Sequence, residues 1–126
     1  DLASRGQAYL PVIYPGFSWA NWNGGERNQI PRDTGRFLWQ QALNVRELGI
    51  PQAFIAMFDE YDEGTAIAKV AESELAIPTD HWFLPLDADG IECSSDFYLR
   101  LTGDGGKMIK GETSLTWSHP TKHKLQ

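Results

Sequence analysis

Six consecutive apolar residues, Ala53-Phe54-Ile55-Ala56-Met57-Phe58, give way within one position to Asp59-Glu60-Tyr61-Asp62-Glu63-Gly64-Thr65. An unbroken apolar run of that length fits a strand buried on both faces, as in a parallel sheet whose crossover helices cover both sides. The preceding sequence supplies such a crossover. Residues 8–14 are apolar and partly β-branched and stop at Pro15-Gly16, the profile of a first strand. Asp33 and Thr34 are suitable caps for a helix reaching residue 48, with Leu38, Ala42, Val45 and Gly49 along one face. Gly49 and Pro51 close it. Strand, loop, amphipathic helix, short loop, strand is a βαβ unit, expected to be right-handed.

Between the first strand and that helix runs a long loop, residues 17–32, carrying Trp19, Asn21, Trp22, Asn23, Gly24, Gly25 and Asn28 without helical or strand periodicity. A loop so long and so aromatic reads as functional rather than disordered. Further along, the spacing predicts a short helix over 66–75 and a strand or extended connection over 82–86. Another helix is expected from Ser94 or Ser95 through Phe97, Tyr98, Leu99 and Leu101, stopped by Gly103. The chain then divides into a folded part, residues 1–112, and a loosely held tail, residues 113–126. A full eight-fold α/β barrel needs roughly 250 residues, so these 126 residues suit only part of one. The missing initiator Met makes the chain read as a piece of a longer protein, and an uncovered parallel edge would otherwise favour self-association.

The formal net charge of -6 argues against a nucleic acid partner, whose phosphates require clustered Lys and Arg. No apolar run approaches the roughly 20 residues that span a bilayer, so no membrane partner is expected. The single cysteine, Cys93, allows no internal disulfide. The compartment stays open, with secretion or a periplasmic location among the options.

Four carboxylates, Asp59, Glu60, Asp62 and Glu63, follow the most apolar strand directly. In parallel α/β proteins the C-terminal ends of strands carry active sites, since the loops there converge on one opening. Crowded carboxylates repel, so one is expected to hold a proton while another stays ionised, which supplies a general acid and a general base. The competing reading is an acidic solvated turn that only solubilises the chain. For metal chemistry the pattern is wrong: Asp87-Ala88-Asp89-Gly90 begins like a calcium loop but has no Glu at the required distance, and reads as an Asp-stabilised turn. His81, His119 and His123 do not pair with Cys93 at zinc-like spacing. No metal and no cofactor are expected.

The run Phe58-Asp59-Glu60-Tyr61-Asp62-Glu63-Gly64-Thr65 resembles a motif of glycoside hydrolase family 99 and the related 71/99-like group, commonly an aromatic, Asn-Glu-Trp, a variable residue, then Glu-Gly-Thr. Tyr14-Pro15-Gly16-Phe17-Ser18-Trp19 is similar to the end of the group's preceding barrel strand, and residues 95–101 to its closing helix. Asp59, Tyr61 and Ala66 depart from the pattern. The resemblance extends to about residue 112 and implies the C-terminal part, about the last two βα units, of a (β/α)₈ TIM barrel. It implies an enzyme that cleaves glycosidic bonds of an oligo- or polysaccharide with retention. Glu60 would assist attack by the sugar's own 2-hydroxyl, and Glu63 would serve as acid/base at the leaving oxygen. Tyr14, Trp19, Trp22, Asp59 and Tyr61 are the expected substrate contacts, while Trp39, Trp82 and Trp117 are expected in the core. The alternative is a glycan-binding module or inactive barrel fragment that keeps the aromatic loop without turnover.

Overall fold

The computed structural model describes residues 2–125. Two of the expected ends, residues 1 and 126, lie outside that range. Strand β1, Val12–Ile13, pairs in parallel with β2, Phe54–Ile55, with Val12 opposite Phe54 and Ile13 opposite Ile55. The expected βαβ order is present, but both strands are shorter than their apolar runs. Because side chains alternate across a strand, Ile13 and Ile55 turn to the core while Val12 (58% exposed) and Phe54 (49% exposed) face away from it. The second strand is therefore not covered on both faces. Its apolar continuation, Met57 and Phe58, is also exposed.

Helix α1, Ala20–Asn23, is a single turn inside the loop expected to lack regular structure. Helix α2, Arg36–Glu47, connects the strands and buries Leu38, Trp39, Ala42, Leu43 and Val45. Gly49 falls outside it, in a left-handed conformation. The expected caps do not cap: Asp33–Gly35 form a 3₁₀ turn and Gly35 occupies the position before α2. There Asp33 binds Arg36 at 2.6 Å instead. Gly35 sits at φ 91°, and a Cβ on it would meet Leu101 at 2.6 Å, so only glycine lets the start of α2 approach the next helix.

Helix α3, Phe97–Ile109, starts later than expected and runs through Gly103, Gly105 and Gly106. Packing overrides glycine's poor helix propensity: α3 lies along α2, and Phe97, Leu101 and Met108 are at most 1% exposed. No α-helix forms over 66–75, only a 3₁₀ turn, Glu74–Ala76, at its end. Ala66, Ile67, Ala68 and Val70 are all buried, and their backbone bonds run to other segments, with Ala68 N–H donating to Phe58 O and Val70 N–H to Ser95 O. Residues 82–86 form an extended connection that ends in a 3₁₀ turn, Leu86–Asp89. Asp87–Gly90 is a turn, as read, with the Asp89 carboxylate accepting from Asn28 Nδ2 and Thr34 N–H.

The tail is not loose. Thr116 O accepts from Trp39 Nε1, Thr121 Oγ1 donates to Asp104, and His123 O accepts from Ser94 N–H. No helix among the described residues is long and apolar enough to cross a membrane.

Candidate functional site

The acidic turn begins where β2 ends. Ala56 N–H still donates to Ile13 O, and the chain then leaves the sheet and closes on itself. Met57 N–H donates to Thr65 O and Ile67 N–H returns to Met57 O, so residues 58–65 form a pinched loop with its ends tied together. Inside it, Gly64 N–H binds Tyr61 O, while Thr65 donates to Glu60 O through its N–H at 3.1 Å and its hydroxyl at 3.4 Å. The carbonyl of one carboxylate residue is thereby fixed from within the loop.

The other is fixed from outside. Ser18, 1% exposed, donates its N–H to Glu63 O at 2.7 Å. Arg32, 3% exposed, directs Nε (3.1 Å) and Nη2 (2.8 Å) at Gly64 O. Gly64 itself adopts φ +68°, and a Cβ there would lie 2.9 Å from Leu84. The turn thus demands glycine both for conformation and for space. Burial of Arg32 lowers its pKa, an effect opposed by Tyr98 and Asp89.

Glu60 and Glu63 are half-buried, and Asp59 and Asp62 are exposed. Among the described residues no side-chain hydrogen bond or ion pair engages the Glu60 or Glu63 carboxylate. Two acids three residues apart therefore sit on a fixed backbone with their oxygens uncommitted. Tyr61 is 40% exposed and donates its hydroxyl to Lys69 O. It helps line, with Arg32, Ile77, Phe83 and Leu84, a largely apolar cleft of about 230 Å³.

The aromatic loop is attached to this turn through Ser18. Its ends close by an antiparallel bridge between Phe17 and Ile30. Trp19 and Trp22 stack at 4.7 Å with planes 15° apart, and Trp22 remains 64% exposed. Trp82, expected in the core, is only part-buried: it lies under the Arg27 guanidinium at 4.8 Å and donates Nε1 to Glu74. Trp117 is 73% exposed, so its expected core position is also wrong, whereas Trp39 at 2% is in the core. Trp82 and Trp117 lie on irregular backbone outside any helix or strand, so no periodicity locates them. Tyr14 directly follows β1, its ring edge-on to Phe37 of α2 at 5.3 Å and its backbone bonded to Gln41 on both sides.

Sequence reading did not single out Ser18, Arg32 or Gln41. Their partners are backbone atoms of segments 27 to 45 residues away, and nothing in the local sequence announces such a bond.

No protein-family model matches the chain, and no curated protein does. Among solved structures it is similar to the family 99 endo-α-mannosidase of Bacteroides thetaiotaomicron, with a TM-score of 0.68 and 20% identity over 89% of this chain and 31% of that one. A second structure of that enzyme, with bis-tris-propane, gives a TM-score of 0.62 and 21% identity over 87% of this chain and 32% of that one. The chain thus has the fold of a fragment of a family 99 glycoside hydrolase structure and spans about a third of its length.

Proposed function

We propose that the chain is the C-terminal part of a (β/α)₈-barrel glycoside hydrolase in which Glu60 and Glu63 carry the chemistry. The observation that supports it best is the combination of fold and position: the segment whose fold resembles a family 99 endo-α-mannosidase presents two uncommitted carboxylates on a pinned turn at the end of a parallel strand. The substrate is an α-linked oligo- or polysaccharide. Glu60 acts as the base that draws the proton from the sugar 2-hydroxyl as it attacks the anomeric carbon. Glu63 protonates the leaving oxygen and then takes a proton from the water that attacks C1, while Glu60 returns its proton to O2 as the C1–O2 bond breaks, giving net retention. Asp59, Tyr61, Trp19, Trp22 and Tyr14 contribute hydrogen bonds and apolar ring faces to the sugar. Residues 113–126 form a tail outside the barrel segment.

The test is hydrolysis of α-linked manno-, gluco- and xylo-oligosaccharides by the full native chain and its Glu60→Gln and Glu63→Gln variants. Loss of at least about 100-fold in kcat for each variant is expected, in line with removal of a general acid or base. Variants that match the parent overturn the assignment. The exposed Trp22, stacked on Trp19, favours one second reading, glycan binding without turnover. It predicts no hydrolysis by any form and sugar affinity unchanged in both Gln variants.

A further inference from the structure

Arg32 is a charged residue in a place where charge is costly. It is 3% exposed, and among the described residues no carboxylate lies within ion-pairing distance of it. Its compensation comes from two N–H bonds to one carbonyl, Gly64 O, and from the face of the Tyr98 ring, 5.2 Å away. The third nitrogen, Nη1, is buried without a partner. An apolar side chain of similar length would avoid the desolvation altogether. What such a side chain lacks is the pair of donors that fix the direction of the Gly64 carbonyl.

That carbonyl adjoins Glu63. Ser18 N–H holds Glu63 O, and Arg32 holds Gly64 O, so successive peptide groups on the C-terminal side of Glu63 are gripped by two residues of the aromatic-loop segment. The grip is itself braced, because the Phe17–Ile30 bridge joins the chain just before Ser18 to the chain just before Arg32. Gly16 leaves room for the arm: a Cβ there would meet Arg32 Cγ at 2.6 Å and Ile30 O at 2.8 Å. Glu60, by contrast, is held within the turn by Thr65.

We infer that Arg32 is a positioning residue that sets the orientation of Glu63 through the Gly64 carbonyl, without touching the sugar. The inference rests on the proposed role of Glu63. Displacing a reacting group by about 1 Å can lower a rate by about 100-fold, and a side chain that acts through the backbone of one residue depends on that residue being functional.

Arg32→Lys keeps the charge and loses the fork. In the full native chain, kcat on the cleaved oligosaccharide is expected to fall by about 10- to 100-fold, the scale of such a displacement, with KM within about threefold. Placed in a Glu63→Gln background, the same substitution is expected to cause no further loss, because both changes remove one function. A merely structural role multiplies the two losses instead, and that result overturns the inference. So does a folded Arg32→Lys variant with parental kcat. If Glu63→Gln is as active as the parent, it is the proposed function that fails, whatever Arg32→Lys does. Should the Lys variant not fold, the parent chain decides: ¹⁵N NMR is expected to show an exchange-protected Arg32 Nε–H with scalar coupling to the Gly64 carbonyl carbon. A rapidly exchanging, uncoupled Nε–H overturns the grip.

Discussion

The α2–α3 layer and the acidic turn are held by different forces. In the helical layer, apolar side chains at helical spacing share one buried cluster: Leu38, Ala42 and Val45 of α2 with Phe97, Leu101 and Met108 of α3. In the turn and the loops around it, a few polar groups satisfy backbone atoms far away in sequence, as Arg32 does for Gly64 O and Gln41 for Tyr14 O. The first arrangement resists change through volume, the second through direction. The second leaves the side chains of the turn uncommitted while its backbone is held.

This contrast predicts that stability and activity separate. Phe97 is fully buried, and Phe97→Ala should lower the free energy of unfolding by about 3–5 kcal/mol. Glu63→Gln, which removes no side-chain hydrogen bond or ion pair among the described residues, should change it by less than about 0.5 kcal/mol. Urea denaturation of the two variants measures both. Comparable losses would mean that the turn is part of what holds the fold together, and the contrast would collapse.

The same difference explains what could be read from the sequence. Helix α2 and its buried face were legible because apolar spacing records packing directly. The βαβ order was legible from the two apolar runs, but not that Val12 and Phe54 lie on an uncovered face, since a run of apolar residues says nothing about how many layers surround it. The end of α3 was misplaced because Gly103, Gly105 and Gly106 weaken the local signal, while the contacts of Met108 and Ile109 that carry the helix past them are tertiary. Glu60 and Glu63 were visible as residues. The clamps beside Glu63, Ser18 and Arg32, were not.

The tail sharpens the comparison at intermediate scale. It is fastened by polar bonds, so it should respond to pH where the helical layer does not. His119 has a carbonyl near each ring nitrogen, Thr121 O at 3.1 Å and Thr34 O at 3.2 Å, yet its pKa lies below the usual histidine value. Burial is the main cause and the neighbouring His123 ring the next, and together they outweigh the two carbonyls. The folded chain therefore prefers neutral His119. As pH falls through the unfolded-state value of about 6.5, the unfolded chain takes up the proton first and stability declines until the folded pKa is passed. Thermal melts from pH 8 to pH 5 should show that decline, and His119→Gln should flatten it. An unchanged slope in the variant would remove His119 from the cause.

The smallest effect concerns glycine, which the two regions use in opposite ways. In α3, a Cβ on Gly106 would meet nothing within 4 Å, and its backbone is helical. Gly106→Ala therefore restricts the unfolded chain and improves helix propensity without a clash, and should stabilise the protein by about 0.5–1 kcal/mol. Gly64 in the turn has φ +68° and Leu84 at 2.9 Å from a Cβ, so the same substitution there should destabilise. Chemical denaturation of the pair tests the signs. If Gly106→Ala also destabilises, α3 relies on glycine for more than chain entropy allows, and the helical layer is held by directional fit as well as by volume.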